Sequence, residues 1–332
     1  MDRLDSWDRF DRLGRLAAYG AAAVMTPYAL IKSSWVAGAL AGALPIGDGF
    51  GLAGWIALNT VTLGMAGLGI ALALALVRPW GLRLPVLCVA GVAWVGTGFL
   101  VPLLPYAVLD SLLGPSAGAP SPRGDGGPVM PGWEAALIQT SFVGMGLCLA
   151  VALPAHLRRR RPGVFAGRLG DASGGLARPV RWAVVAGAVV AAVWVYWALG
   201  GTAGVPYPGQ QGSRERLLSG VWGLWAFIAS AATWAVGRGR PARLPRWIPL
   251  TLGWLGTGSL CAWSGWRLPF VLHAALTHPA DTALPDHLAL AAALHAVAVA
   301  AGAVMLPALV RTPGSATASG AAGDTRARDG RP

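Results

Sequence analysis

The sequence predicts an all-α, polytopic membrane protein: a bundle of eight transmembrane helices arranged as two parallel four-helix repeats. Three observations predict this fold class. Hydrophobic residues make up 55% of the chain and charged residues only 12%, which is about half the charged fraction of an ordinary soluble domain. The apolar residues form long continuous blocks, and the second half of the chain repeats elements of the first half.

The apolar blocks are long enough to cross a bilayer as helices. A helix needs roughly 20 residues to span a hydrocarbon layer ~30 Å thick. The strands of a membrane barrel would instead alternate apolar and polar residues over about ten positions, and these blocks do not alternate. The eight predicted spans are residues 16–41, 51–77, 84–107, 133–156, 182–204, 217–237, 244–266 and 286–310.

Two short motifs with the same spacing identify the repeat. Arg83-Leu84-Pro85, followed after eight residues by Trp94-Val95-Gly96-Thr97-Gly98, recurs as Arg243-Leu244-Pro245 and Trp254-Leu255-Gly256-Thr257-Gly258. This recurrence indicates an ancestral unit of about 150 residues that was duplicated and fused. Because each unit holds an even number of spans, both have the same orientation, and a pseudo-two-fold axis along the membrane normal should relate them.

Many of the 16 tryptophans lie near predicted span ends, where an indole can bury its ring and still hydrogen-bond. Trp94 and Trp254 are different, since both lie in the middle of a span and precede a Gly-Thr-Gly sequence. We interpret this pair as a packing device, in which the glycines let a neighbouring helix approach and the indole fills the space beside it. Stacking of a ligand on these rings is the alternative.

The first 15 residues predict an additional, amphipathic helix. Asp11 and Arg15 lie at i,i+4 on its polar side, and we expect the helix to lie flat at the cytoplasmic interface. Its apolar residues recur every three positions: Leu4, Trp7, Phe10 and Leu13.

Composition divides the chain into five regions. The segment between the repeats is basic, and the C-terminal tail is rich in small and polar residues, which predicts disorder in the cytoplasm. The predicted regions are the amphipathic helix 1–15, repeat one 16–156, the basic linker 157–181, repeat two 182–310 and the tail 311–332.

The net charge of +12 is explained by membrane topology. On the predicted spans, 21 of the 26 basic residues lie on one side, together with both termini. The positive-inside rule makes that side cytoplasmic. The chain is therefore expected in a cell membrane, and its charge requires no nucleic-acid partner. Contact of Arg158 to Arg161 with anionic lipid headgroups is an additional role for these arginines.

Four polar residues of repeat one form a candidate ligand site. Charged groups inside a span are costly and therefore mark functional candidates. Lys32 lies about nine residues from the outer end of its span, and Asn59, Gln139 and Glu134 lie at similar or shallower depth. If these spans pack together, the site would suit an anionic or zwitterionic ligand. The alternative is that Lys32 extends its charge to the outer interface and the amides bond to each other.

Repeat two carries histidines in place of that set. His273, His278, Asp286 and His287 supply side chains that bind zinc and other divalent ions, although their spacing follows no metal motif. A solvated polar loop is the alternative interpretation. His295 lies within the last span and must find a polar partner there, for structure or for proton transfer.

No catalytic signature is present, so no catalytic residue and no cofactor are predicted, apart from a divalent metal at the histidines. The sequence Tyr28-Ala29-Leu30-Ile31-Lys32, followed by Trp35 and Gly38, together with Arg-Leu-Pro before two spans, resembles uncharacterised multi-pass integral membrane proteins of high-GC bacteria. The resemblance implies a multi-pass fold in a bacterial cell membrane and no activity.

We expect the protein to bind or translocate a small anionic or zwitterionic solute at the repeat interface. One alternative is a non-catalytic membrane module that docks a protein partner, a lipid or a second copy of the chain. The third is a metal-dependent membrane enzyme that uses the outer histidines.

Overall fold

The computed structural model describes residues 2–43, 51–112, 132–160, 163, 166–172, 175–205, 212–277 and 287–310. In these residues the chain is helical and contains no β-strand. Short 3-10 helices precede α3 and α6. The α-helices are α1 (Asp2–Leu40), α2 (Leu52–Ala75), α3 (Val86–Leu100), α4 (Leu103–Leu112), α5 (Gly132–Arg160), α6 (Arg178–Ala198), α7 (Ser213–Arg238), α8 (Trp247–Thr277) and α9 (Leu288–Val310).

In the part of the chain that the structure describes, six helical segments are long and apolar enough to cross a membrane. Their surfaces carry exposed apolar side chains, such as Leu68, Val189 and Phe227, each more than half exposed. Such surfaces are expected where a helix faces lipid rather than water. The segments are Leu52–Ala75, Val86–Asp110, Ala136–Arg160, Arg178–Ala198, Ser213–Arg238 and Leu288–Val310.

The other two predicted spans lie in α1 and α8. With 39 and 31 residues, both helices exceed the roughly 20 residues that a span requires. They are less apolar than the six, because α1 contains Lys32, Ser33 and Ser34 and α8 is rich in tryptophan, serine and threonine. Length alone therefore permits these two helices to span a membrane.

Residues 2–15 belong to α1 and do not form a separate helix. The helix runs without a break from Asp2 to Leu40. Gly14 is buried against Ala155 of α5, and the expected Asp11–Arg15 ion pair is present at 2.7 Å. The start of α1 thus packs on the end of α5, where the sequence predicted a helix lying flat on the membrane.

The third predicted span, residues 84–107, is divided into α3 and α4. Pro102 follows the last turn of α3 and is fully buried. Because proline has no backbone N–H, it cannot donate a hydrogen bond to the carbonyl one turn earlier. In the second half, α8 continues as one helix to Thr277, well beyond the predicted end at residue 266.

The molecule has two apolar cores. One is formed by residues of α1, α2, α3 and α5, and the other mainly by residues of α6, α7, α8 and α9. In the first half α1 packs against α2 and α5, and in the second half α6 packs against α7 and α9. The contact between the halves runs through α3 against α8 and, to a lesser extent, α4 against α7.

The repeated Trp-x-Gly-Thr-Gly motifs meet at the contact of α3 with α8. The indole Nε1 of Trp94 donates to Oγ1 of Thr257 at 3.2 Å, and Nε1 of Trp254 donates to Oγ1 of Thr97 at 3.2 Å. Between these reciprocal bonds the two backbones touch, because a Cβ on Gly98 would clash with the carbonyl group of Gly258. The predicted packing role of this motif is confirmed.

Candidate functional site

Lys32 and Asn59 form the polar centre of the first half of the molecule. Nζ of Lys32, on α1, donates to Oδ1 of Asn59, on α2, at 2.9 Å. Asn59 is almost completely buried, with 1% of its surface exposed, and Lys32 is half-buried. The pair therefore holds a cation and an amide between two helices inside the bundle.

The helix backbone fixes the orientation of the Asn59 amide. Nδ2 of Asn59 donates to the carbonyl oxygen of Trp55, one turn earlier, at 2.9 Å. Since only the –NH₂ group of an amide can donate, its oxygen must point the other way. That oxygen faces Lys32. The Asn59 side chain therefore offers the ammonium group an acceptor in a fixed position.

Aromatic rings surround the Lys32 ammonium. Nζ lies 3.9 Å from the ring centroid of Trp35 and 5.7 Å from that of Tyr28. Trp35 in turn stacks on Trp55, with ring centroids 5.8 Å apart and an angle of 23° between the planes. The negative faces of aromatic rings stabilise a nearby cation. The rings therefore stabilise the ammonium group of Lys32 in its charged form.

The other two predicted site residues lie on α5. Gln139 is exposed and lines a cavity of about 70 Å³ beside Leu100, Leu104 and Phe142, at the join of α3 and α4. Glu134 is buried in the first turn of α5, where the positive end of the helix dipole favours a carboxylate. The structure thus brings Lys32 and Asn59 together and places Gln139 at the cavity beside α3 and α4.

The predicted metal ligands are only partly described. His273 lies on α8, where the sequence predicted a loop, and is exposed. His287 is also exposed and lies just before α9. His278 and Asp286 lie outside the described residues. Among the described residues no three histidine, cysteine, aspartate or glutamate side chains are grouped in a way that could hold a metal ion.

His295 is buried on α9 and has the polar partner that the sequence requires. Its Nδ1 lies 3.2 Å from Oγ of Ser264 on α8. Its ring lies beside Trp194 of α6, with centroids 6.3 Å apart. Trp194 in turn contacts aromatic rings on the neighbouring helices. Sequence patterns did not identify this group of rings.

The arginines at the C-terminal end of α5 make contacts within the molecule. Nε of Arg159 lies 3.0 Å from the Asp11 carboxylate, and its Nη2 donates to the carbonyl oxygen of Leu76 at 3.3 Å. His156 Nδ1 lies 2.9 Å from the same carbonyl oxygen. Arg158 lies over the ring of Phe10. The contacts of Arg159 and His156 satisfy the Leu76 carbonyl oxygen at the end of α2 and join α2 to α5.

Together, these features are an apolar helical bundle with a cation held between α1 and α2 in the first half and a buried histidine within aromatic rings in the second. Compared with family models, with curated proteins and with solved structures, the chain matches none.

Proposed function

We propose that this membrane protein binds a small anionic or zwitterionic solute at the Lys32–Asn59 centre, as a step in its transport. The observation behind this proposal is the ammonium group held 2.9 Å from the Asn59 oxygen and 3.9 Å from the Trp35 ring centroid. A lysine in the middle of a membrane helix costs ~2.5–3.5 kcal/mol. If the pair had only a structural role, two apolar residues could pack in its place without the free-energy cost of a charge in the membrane.

The chemistry of the centre favours a carboxylate. The ammonium supplies a positive charge and hydrogen-bond donors, while the indole of Trp35 covers one side of it. A zwitterion could place its carboxylate at Lys32 and its ammonium over the second indole, Trp55, which stacks on Trp35. Cations are attracted to tryptophan faces, so one site offers a contact for each charge.

Lys32 is the only lysine in the chain, and this permits a selective experiment. Reductive methylation with ¹³C-formaldehyde labels Lys32 and the N-terminal amine alone. We expect the Lys32 resonance to shift when glycine or acetate is added to the purified protein, and the N-terminal signal to remain in place. If a panel of small carboxylates and amino acids moves neither resonance, the solute site is excluded.

The corresponding variants separate charge from structure. Lys32→Met removes the cation but keeps the length of the side chain, and Lys32→Arg keeps the charge. We expect Lys32→Met to reduce binding at least tenfold, or about 1.4 kcal/mol, and Lys32→Arg to retain part of it. Arg243→Gln, at an exposed arginine near the start of α8, is the control. Equal binding by Lys32→Met and the native protein would contradict the proposal.

We further propose that the chain has eight spans in two parallel repeats, with both termini in the cytoplasm of a bacterial cell. The reciprocal Trp94–Thr257 and Trp254–Thr97 bonds support the repeats, because a two-fold axis between α3 and α8 would generate each bond from the other. The two separate apolar cores support the same arrangement. The distribution of arginine supports the orientation.

A further inference from the structure

Three indole N–H groups in the second half are buried without an acceptor. They belong to Trp222, Trp225 and Trp263, and no hydrogen-bond partner lies near any of them in the described part of the chain. Trp222 and Trp225 have only 8% and 9% of their surface exposed. Native proteins leave few buried donors unpaired, and each one requires an explanation. A bound ligand that is absent from the structure is one such explanation.

Two of the three unpaired donors belong to one aromatic cluster, formed by Phe99, Trp194, Trp222, Trp263 and His295. The rings of Trp222 and Trp263 lie 5.9 Å apart at 41°, and those of Trp194 and Trp222 lie 5.9 Å apart at 52°. Phe99 of α3 meets Trp263 edge-on at 5.2 Å. The aromatic cluster is therefore built by α6, α7, α8 and α9 and is closed by a ring from the first half.

A cation lies at the edge of the aromatic cluster. The guanidinium carbon of Arg267 lies 4.6 Å from the ring centroid of Trp222, and Arg267 is exposed. The Trp222 ring is thus covered by a positive charge, while its own N–H lacks an acceptor. An acceptor oxygen would satisfy this N–H, and the guanidinium over the same ring favours an acceptor that is negatively charged.

The polar groups of the aromatic cluster are almost all donors. Indole and guanidinium nitrogens donate and cannot accept, and the described cluster contains no carboxylate. Quaternary ammonium ligands also bind between aromatic rings, but here the Arg267 guanidinium would repel them. The walls are apolar, so the ligand needs an apolar body as well as an acidic group.

We propose that the aromatic cluster binds an anionic amphiphile, with its carboxylate or phosphate oxygens at Arg267, Trp222 and Trp263. The apolar part of the ligand lies against the rings of Trp194 and Phe99. On the proposed topology, the aromatic cluster lies within about three turns of the outer ends of α6 and α7, where a lipid headgroup would be found. The ligand enters by displacing the Arg267 guanidinium from the face of Trp222.

The amphiphile site is independent of the Lys32–Asn59 centre. Lys32 and Asn59 lie on α1 and α2, while the aromatic cluster lies on α3, α6, α7, α8 and α9, so the two sites share no residue. A variant at Trp222 leaves Lys32 unchanged, and a variant at Lys32 leaves the aromatic cluster unchanged. The two proposals can therefore fail separately.

The test uses the full-length protein in phosphatidylcholine nanodiscs and three twelve-carbon probes. Sodium laurate carries a carboxylate, dodecyl phosphate carries a phosphate, and dodecanol carries no charge. We expect at least one anionic probe to raise the unfolding temperature saturably, and dodecanol to have no such effect. The anion with the larger effect identifies the headgroup.

Two pairs of variants locate the binding. Trp222→Phe keeps an aromatic face and removes the N–H, and Trp80→Phe does the same at an exposed tryptophan before α3. Arg267→Gln removes the cation, and Arg243→Gln does so near the other end of α8. We expect Trp222→Phe and Arg267→Gln to weaken binding of the anionic probe about tenfold, and both controls to bind like the native protein.

Three results would overturn the proposal. The first is an equal effect of dodecanol and the anionic probes. The second is unchanged binding by Trp222→Phe or, if that variant does not fold, by Trp263→Phe. The third is no effect of any probe, which would mean that the unpaired indoles are satisfied by water only.

Discussion

Thr97 and Thr257 each use one hydroxyl group both to donate and to accept hydrogen bonds. Oγ1 of Thr257 donates to the carbonyl oxygen of Gly253 at 2.7 Å and accepts from the indole of Trp94. Thr97 does the same with Ala93 and Trp254. Donation to the backbone of its own helix orients each hydroxyl, so its lone pairs face the indole of the other helix. A residue that weakens an isolated helix thus becomes a point of attachment between helices.

Replacing either threonine with valine tests these bonds. Thr257→Val keeps the shape of the side chain and leaves the indole of Trp94 buried without an acceptor. We expect a loss of about 1 kcal/mol of unfolding free energy, within the range measured for polar contacts between membrane helices. Titration with SDS in mixed micelles measures it. Thr140→Val, at an exposed hydroxyl bonded only to its own helix, is the control.

Thr97→Val should cost about as much as Thr257→Val, because the two bonds have the same length and the same partners in exchanged positions. If Thr257→Val is as stable as Thr140→Val, the Trp94 bond contributes nothing to stability.

Depth along a helix can be predicted from the sequence, but rotation about its axis cannot. The sequence placed Lys32 and Asn59 at similar depth, and the structure joins them. Gln139 lies at a comparable depth and lines the cavity next to α3 and α4. The sequence did not predict this position, because a span that is apolar on all faces does not indicate which face meets which neighbour. The aromatic cluster was missed for the same reason, although Trp222 and Trp263 already lie at comparable depths in the sequence.

At the scale of elements, α1 differs most from its prediction. The charges of residues 2–15 indicated a helix on the membrane surface, yet Asp11 pairs with Arg159 of α5 at 3.0 Å and Gly14 is packed against Ala155. The sequence of one helix shows that it is amphipathic but not what covers its apolar side. Here Gly14 packs on Ala155 of α5, and α1 continues without a break to Leu40.

The packing of α1 on α5 predicts the effect of a larger residue at position 14. Gly14→Leu would place a side chain against Ala155, so α1 and α5 must separate. We expect a loss of about 1–3 kcal/mol, as is usual for overpacking, measured by SDS titration. Gly67→Leu is the control, since a Cβ on the exposed Gly67 meets no atom within 4 Å. Equal stability of the two variants would favour a separate helix on the membrane surface.

At the scale of the whole molecule, the contact between the halves depends on two glycines. A Cβ on Gly258 would lie 2.7 Å from the carbonyl oxygen of Trp94, and one on Gly98 would clash with Gly258 itself. Neither obstacle is the end of a flexible side chain, so neither can move aside without moving a helix. Close approach of backbones through small residues is a common means of joining membrane helices.

Gly98→Ala should therefore weaken the contact between the halves, by about 1–3 kcal/mol. Gly96→Ala, two residues earlier on α3, introduces the same methyl group where no atom lies within 4 Å, and alanine favours a helix more than glycine does. We expect no loss for Gly96→Ala in the same SDS titration. Equal loss in both variants would show that the effect comes from α3 alone.

The eight-span topology depends on α1 and α8, the two helices less apolar than the rest, and a reporter on each loop tests it. With both termini inside, alkaline phosphatase fused after residue 44, 120 or 281 should be exported and active, while a fusion after residue 170 should be inactive. Green fluorescent protein at the same positions should give the opposite result, since it folds poorly when exported. A cytoplasmic fusion at 44 would mean that α1 does not span. A cytoplasmic fusion at 281 would mean that α8 does not. Either result would remove the four-plus-four arrangement of two equivalent repeats, because one half would then hold three spans.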